Sequence, residues 1–164
     1  FFGSTIGNLS REGALDYLRG LRDVMAPGDN LLLGVDMVKD IEIVERAYND
    51  GEGITARFNR NILNVINYLA GTDFDPEAFN HVAFFNRKLS RIEMHLEATR
   101  DMEVKTPHLK QGIILRKGER IHTENSHKFT GEQIEVMLRS AGLVIKDLYT
   151  DSNKWFSLIL AGRD

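Results

Sequence analysis

No cysteine occurs in the 164 residues, which excludes disulfides, thiolate catalysis and zinc–thiolate sites together. No apolar run approaches the ~20 residues of a membrane-spanning helix. The start has neither the basic residues nor the small-residue cleavage site of a secretory leader, so the cytoplasm is the expected location. Lys and Arg number 21 against 24 Asp and Glu, a net charge of -3. With no basic block in addition, neither nucleic acid nor a membrane surface is an expected partner. Internal repeats and low-complexity tracts are missing. So are a Gly-x-Ser-x-Gly elbow, a Walker loop and a Gly-x-Gly-x-x-Gly turn after a strand. What remains is globular: 42% apolar and 27% charged, at a length that suits one ordinary domain or two small pieces.

The chain opens on Phe1-Phe2, which reads as the end of a buried strand. A strand that begins at its own end suggests a chain missing its beginning. Gly3-Ser4-Thr5 turn the backbone out, and Gly7-Asn8-Leu9-Ser10 lead into a helix carrying Leu15, Leu18, Leu21 and Met25 on one face. Pro27-Gly28-Asp29 stop it. Leu31 to Asp36 form an apolar run ending in an acid, the pattern of a buried parallel strand. Strand, helix and strand make one βαβ unit, with a right-handed crossover. Ligands in such sheets bind past the carboxyl ends of strands, where Asn8 offers an amide.

After Lys39 the character changes. Ile41 to Tyr48 reads as a helix ended by Asn49-Asp50-Gly51. A longer helix follows, with Ile54, Phe58, Ile62, Val65, Ile66 and Leu69 as its expected buried stripe and Gly71 as its stop. From Phe79 to Glu124 the period falls to two. Ile92, Met94, Leu96 and Ala98 alternate with Arg91, Glu93, His95 and Glu97, as in antiparallel strands. Ile113 to Leu115 and Glu119 to Glu124 read as further strands. The end returns to α/β: Thr130 with Gln133 forms a capping box, and Gly142 follows the helix. Leu143 to Tyr149 and Trp155 to Leu160 then make a hairpin around Thr150-Asp151-Ser152-Asn153. The expected fold class is α/β, part of a class I (Rossmann-like) methyltransferase sheet ending in an antiparallel hairpin, with an inserted α+β block. Hairpin-ended sheets of this kind point to methyltransferases by analogy of fold alone.

Three stretches gather polar residues beyond structural need. One holds Asn8, which on local grounds could simply make a turn. The second is Ala47-Tyr48-Asn49-Asp50, where a half-buried packing role for Tyr48 is the simplest account. The third runs from Arg120 to Phe129. There His122 and Glu124 share one strand face, and Ser126 continues that face if the strand persists. His122, Glu124 and His127 are metal-capable groups, but their spacing matches no ligand pattern, so no metal is expected. The simplest account of this stretch is a polar edge strand with His127 and Lys128 in solvent.

Six segments in order, residues 1–8, 31–40, 47–50, 55–61, 91–96 and 121–129, resemble the histidine-specific N-methyltransferases of ergothioneine biosynthesis. The resemblance covers nearly the whole chain and implies S-adenosylmethionine as methyl donor and histidine as substrate. It implies a methyltransferase domain in 1–38 and 129–164, with an inserted substrate-binding domain in 39–128. This chain would then be about the C-terminal half, with the donor's glycine-rich loop upstream of Phe1 and cofactor-binding residues unknown here. By position, Asn8 and Tyr48 match the pair holding the substrate's amino acid end. Glu124 and Ser126 match the pair on its imidazole, with Asn125 between them, and Met94 matches a residue packing beside that ring. Two alternatives stand beside this: an inactive fragment that only binds substrate, or a relative methylating another aromatic amino acid such as a prenylated tryptophan. A sheet cut beside its central strand would also expose an edge open to self-association. On this reading residues 1–164 alone show no heat of S-adenosylmethionine binding in calorimetry, and tight binding would contradict it.

Overall fold

Contacts in the computed structural model, which describes residues 1–107 and 111–163, divide the chain into two units. The first contains Phe1–Asp40, Asn86–Ile92 and the residues from Asn125 onward; the second contains Ile41–Phe85 and Glu93–Glu124.

In the first unit the apolar run becomes strand β1 (Asn30–Asp36), with Leu33 and Val35 fully buried. Phe2 pairs with it in parallel, donating its N–H to Leu32 O at 2.8 Å and accepting from Gly34 N at 2.8 Å. The expected parallel pairing is present as a single bridge at Phe2, while Phe1, expected in a buried strand, is 86% exposed. Between these strands lies helix α1 (Arg11–Val24), whose N-cap Ser10 accepts from Gly13 N at 3.0 Å. Helix α4 (Gly131–Ser140) starts with the expected capping box of Thr130 and Gln133. The closing hairpin is β7 (Leu143–Thr150) and β8 (Phe156–Arg163), and the sheet order is β1-β8-β7, antiparallel throughout. Leu33 pairs with Ile159 and Leu31 with Ala161. Ile6, Leu18, Leu33, Ile134, Leu138 and Ile159 share one core with no exposed surface. Each such aliphatic side chain contributes about 1.5–3 kcal/mol by leaving water.

The second unit begins with α2 (Ile41–Tyr48) and α3 (Ile54–Ala70), the latter closed by Gly71 in the left-handed region at φ 62°. Asp50 caps α3, its two carboxylate oxygens accepting from Ile54 N (2.7 Å) and Thr55 N (2.8 Å). Those bonds, with the Thr55 contribution largest, pull the carboxyl down to about 2. Strands β2 (Phe79–Asn86), β3 (Arg91–Ala98) and β6 (Arg120–His127) form a sheet in the order β2-β3-β6. The bonds Ala98 N to Glu119 O and Lys128 N to Ser90 O, both 2.9 Å, run β3 and β6 antiparallel. A two-stranded ribbon pairs β4 (Met102–Val104) with β5 (Ile113–Leu115).

One expectation fails on α3. Of the anticipated stripe, Phe58 is 66% exposed and Leu69 75%, with Ile54, Ile62 and Val65 also exposed. The face turned inward carries Asn59 and Leu63, with Ile66 packed at the edge of the core. Two asparagines decide this, because their amides satisfy backbone groups that no aliphatic could. Asn67 bonds both the N–H and the C=O of Phe74 at 2.8 Å, and buried polar groups left unpaired cost about 1–3 kcal/mol. Leu63→Ala should therefore destabilise by about 2–5 kcal/mol in urea unfolding. Phe58→Ala should stay within about 0.5 kcal/mol.

Candidate functional site

In the first unit Asn8 ends a 3-10 helix, Ser4–Asn8, and is exposed, while Ile6 before it is fully buried. Gly7 lies so close to β6 that an added Cβ would stand 2.9 Å from His127 O. Only a residue without a side chain permits this approach, and it sets Asn8 one residue from the backbone beside Ser126. Asn125 Oδ1 is buried with no hydrogen-bond partner among the described residues. An orphaned buried acceptor of this kind calls for a ligand donor or a water.

The next residues overturn the solvated account of this stretch. Lys128 is 1% exposed and His127 6%. Lys128 Nζ donates to Ser126 Oγ at 2.9 Å and forms an ion pair with Asp36 Oδ2 at 2.7 Å. The other oxygen of Asp36 accepts from Lys39 Nζ at 2.6 Å. The acid at the end of β1 thus holds two ammonium groups, one of them buried. The charge on His127 is disfavoured. Burial lowers its pKa, and Arg91, Arg11 and Lys128 push the same way, against a weaker pull from the Leu89 backbone. Among the described residues neither ring nitrogen makes a hydrogen bond of ordinary geometry.

In the second unit Tyr48 is half-buried at the end of α2, and its C=O lies 2.8 Å from His81 Nε2. A carbonyl can only accept, so Nε2 carries the proton and Nδ1 accepts from Asn59 Nδ2 at 3.0 Å. Asn59, 3% exposed, also donates to His95 O at 3.1 Å. Its Oδ1 lies 2.6 Å from Thr123 Oγ1, whose proton it shares with Met94 O at 3.0 Å. One buried amide thereby ties α3 to β2, β3 and β6. Met94 is buried on β3, and Glu124 is half-buried. Glu124 lines a cavity of about 210 Å³ with Phe58, Asn59, Asn61, Ile62, Val65 and Thr123.

Glu93, His95 and His122 bring three metal-capable groups within 4.8 Å of one another. The set differs from the one the spacing suggested. Its rings do not converge: His95 and His122 stack at 4.5 Å with planes 16° apart. Imidazole lone pairs lie in the ring plane, so nearly parallel rings cannot aim at one ion ~2 Å from each nitrogen. Phe84 stacks on the other face of His95 at 5.4 Å. Burial lowers the His95 pKa, and the bond to Glu93 opposes it.

The sequence-based site residues thus divide between the units, Asn8, Asn125 and Ser126 in the first and Tyr48, Met94 and Glu124 in the second. Lys128, Asp36 and Asn59 were missed. A lysine directly after a polar strand reads as solvent-facing, and Asn59 carried one signal, a polar residue four before the apolar Leu63.

A parallel pairing at the start, an acid ending β1 and an antiparallel hairpin at the end place the first unit in the α/β class. The model for SAM-dependent, histidine-specific methyltransferases matches residues 1–163, and the chain belongs to that family. It is 44% identical over 163 residues to the histidine N-alpha-methyltransferases of Mycolicibacterium smegmatis and Mycobacterium tuberculosis, covering 99% of this chain and 51% of theirs. Ergothioneine biosynthesis protein 1 of Neurospora crassa is 32% identical, over 97% of this chain and 18% of its own. The chain therefore spans about half the length of the mycobacterial relatives.

The two lowered histidines fix a pH dependence. Unfolded, they take up protons near the ordinary value of 6.5, while the folded state resists. The unfolded chain then binds more protons, so stability falls as pH drops below about 6.5. The lowered carboxyls Asp50, Asp101 and Asp151 act only further down, below about 3.8. Urea midpoints should therefore decline between pH 7 and 5, and His127→Phe should flatten part of that decline.

Proposed function

We propose that the protein carrying this chain transfers methyl groups from S-adenosylmethionine to the α-amino nitrogen of histidine, ending at the trimethylated betaine. The family match supports the class of reaction. The single observation that carries the substrate is Glu124, a carboxylate among the apolar side chains of Phe58, Ile62 and Val65. Apolar side chains beside a carboxylate suit a flat ring that carries an N–H. In this reading residues 39–128 form the substrate-binding domain, and 1–38 with 129–164 belong to the methyltransferase domain. Its setting is the cytoplasm, and nucleic acid and membrane play no part. No described helix is long and apolar enough to cross a membrane.

S-adenosylmethionine, when bound, supplies a sulfonium methyl; its glycine-rich turn is not among residues 1–164, and no residue here is assigned to it. The chain's own task is to present a neutral amine. Methyl transfer needs a free nitrogen lone pair aimed along one line, so positioning supplies most of the rate. A carboxylate beside the amine would favour the ammonium and block attack. An Asn8 amide and a Tyr48 hydroxyl orient the amino acid end without that penalty. At the ring end a carboxylate is welcome: Glu124 takes an imidazole N–H in a charge-assisted bond worth about 1.5–3 kcal/mol. Met94 packs beside the ring, and Asn125 lies between Glu124 and Ser126.

A substrate without the ring N–H cannot make this charge-assisted bond to Glu124, and a site built to bond a ring N–H can reject such an analogue by on the order of 10⁴-fold. Glu124→Gln in the full-length protein should cut kcat/KM for histidine by at least about 10-fold with little change in Tm. Unchanged kinetics would remove Glu124 from the site.

A further inference from the structure

We propose that His81 is a positioning residue for the substrate: the proton on its Nε2 holds the end of α2, and with it the phenol of Tyr48, in one place. The role rests on the reading of Tyr48 as a substrate-binding residue. The last four carbonyls of a helix lack partners within it. Tyr48 is the last residue of α2, so its C=O is one of them. His81 Nε2, 2.8 Å away, donates to that oxygen. Holding the carbonyl keeps the last turn from fraying, and a side chain on an ordered turn loses less freedom when it binds.

Asn59 decides which nitrogen of His81 carries the proton. The His95 carbonyl can only accept, so the Asn59 atom 3.1 Å from it is the amide nitrogen. The oxygen of the same amide faces Thr123 Oγ1 at 2.6 Å. The amide is thereby oriented from two sides, and its second N–H meets His81 Nδ1 at 3.0 Å. Nδ1 accepts, which leaves the proton of the neutral ring on Nε2, facing Tyr48. At 3% exposure Asn59 keeps this arrangement away from bulk water. Tyr48, Asn59, His81, His95 and Thr123 all belong to the second unit.

Two further bonds dock the same helix end. Strand β2 is the outer strand in the order β2-β3-β6. Glu45 Oε1 accepts from Phe85 N at 2.8 Å, and Asn49 Nδ2 donates to Ala83 O at 3.1 Å. His81, Ala83 and Phe85 alternate along β2, so one strand receives the end of α2 at three successive points. The bonds at Ala83 and Phe85 use backbone groups of β2 and survive any substitution of His81. Changing His81 therefore loosens Tyr48 without undocking the helix.

Two substitutions at one position test the role in the full-length protein. His81→Asn keeps an acceptor for Asn59 but is too short for the Tyr48 carbonyl. His81→Gln reaches that carbonyl with its amide N–H. His81→Asn should lower kcat/KM for histidine about 10-fold, and His81→Gln should stay within about threefold of wild type. In a Tyr48→Phe background His81→Asn should cost nothing further, since the two residues act through one contact. Equal losses in the two variants, no loss in His81→Asn, or a loss that adds to that of Tyr48→Phe would each overturn the proposal. Ring-nitrogen NMR of the wild type at about pH 8 needs no variant, and it should show His81 as the neutral Nε2–H tautomer. An Nδ1–H tautomer or an imidazolium there would overturn the proposal as well, and this measurement decides if His81→Asn does not fold. Unchanged kinetics in Tyr48→Phe would instead remove Tyr48 from the proposed function. A loss in Tyr48→Phe with none in His81→Asn removes only the role of His81, so the two failures are distinguishable.

Discussion

One carboxylate with two lysines on it organises the end of strand β1. Asp36 closes β1, and its two oxygens hold Lys39 and the buried Lys128. A buried ammonium tolerates no loss of its partner: removing one member of such a pair costs about 3–5 kcal/mol, because the charge left behind has no water. This makes the chain from Ser126 to Phe129 a fixed object. Ser126 is held by Lys128 and the backbone of His127 lies against Gly7. Phe129 exchanges backbone bonds with Asp36 and Val38. The functional groups proposed on this side are rigid because the charge beneath them leaves one arrangement.

The second unit is held by another route, a network of neutral hydrogen bonds. Asn59 is its pivot. A single amide touches His81, the His95 backbone and Thr123. His81 in turn grips the end of α2 where Tyr48 sits. The Tyr48 carbonyl can only accept from His81, so the network sets both the imidazole tautomer and the direction of the amide. A leucine at this position would fill the space and take a bond from His81 Nδ1, from the His95 carbonyl and from the Thr123 hydroxyl.

Much of this was legible in the sequence, for reasons that differ by element. Helix α2 and the capping box of α4 follow from local signals, an apolar repeat between stops and a Thr-x-x-Gln pair, and the structure places both as expected. The parallel pairing of Phe2 follows from the order strand, helix, strand. The burial of α3 does not. Its apolar stripe showed that the helix has two unlike faces, but the asparagines that bond to neighbouring backbone determine which one turns inward. Lys128 was illegible for a related reason. Burial of a charge depends on a partner distant in sequence, and Asp36 lies on another strand altogether. The insertion of β8 between β1 and β7 was equally hidden, since a hairpin pattern does not reveal which of its strands meets a third.

That insertion bears on how the chain acquires its form. β1 and β7 never touch as neighbours in the ladder; each reaches the other only through β8, which follows both in sequence. Leu31 must wait for Ala161. A growing polypeptide that has not yet produced residues 156–163 holds two open strand edges facing a gap one strand wide. Assembly of the first sheet is thus a late event in synthesis, slow because its pairings join distant parts of the chain. During that interval the unfilled gap is the place where another extended segment could insert by mistake.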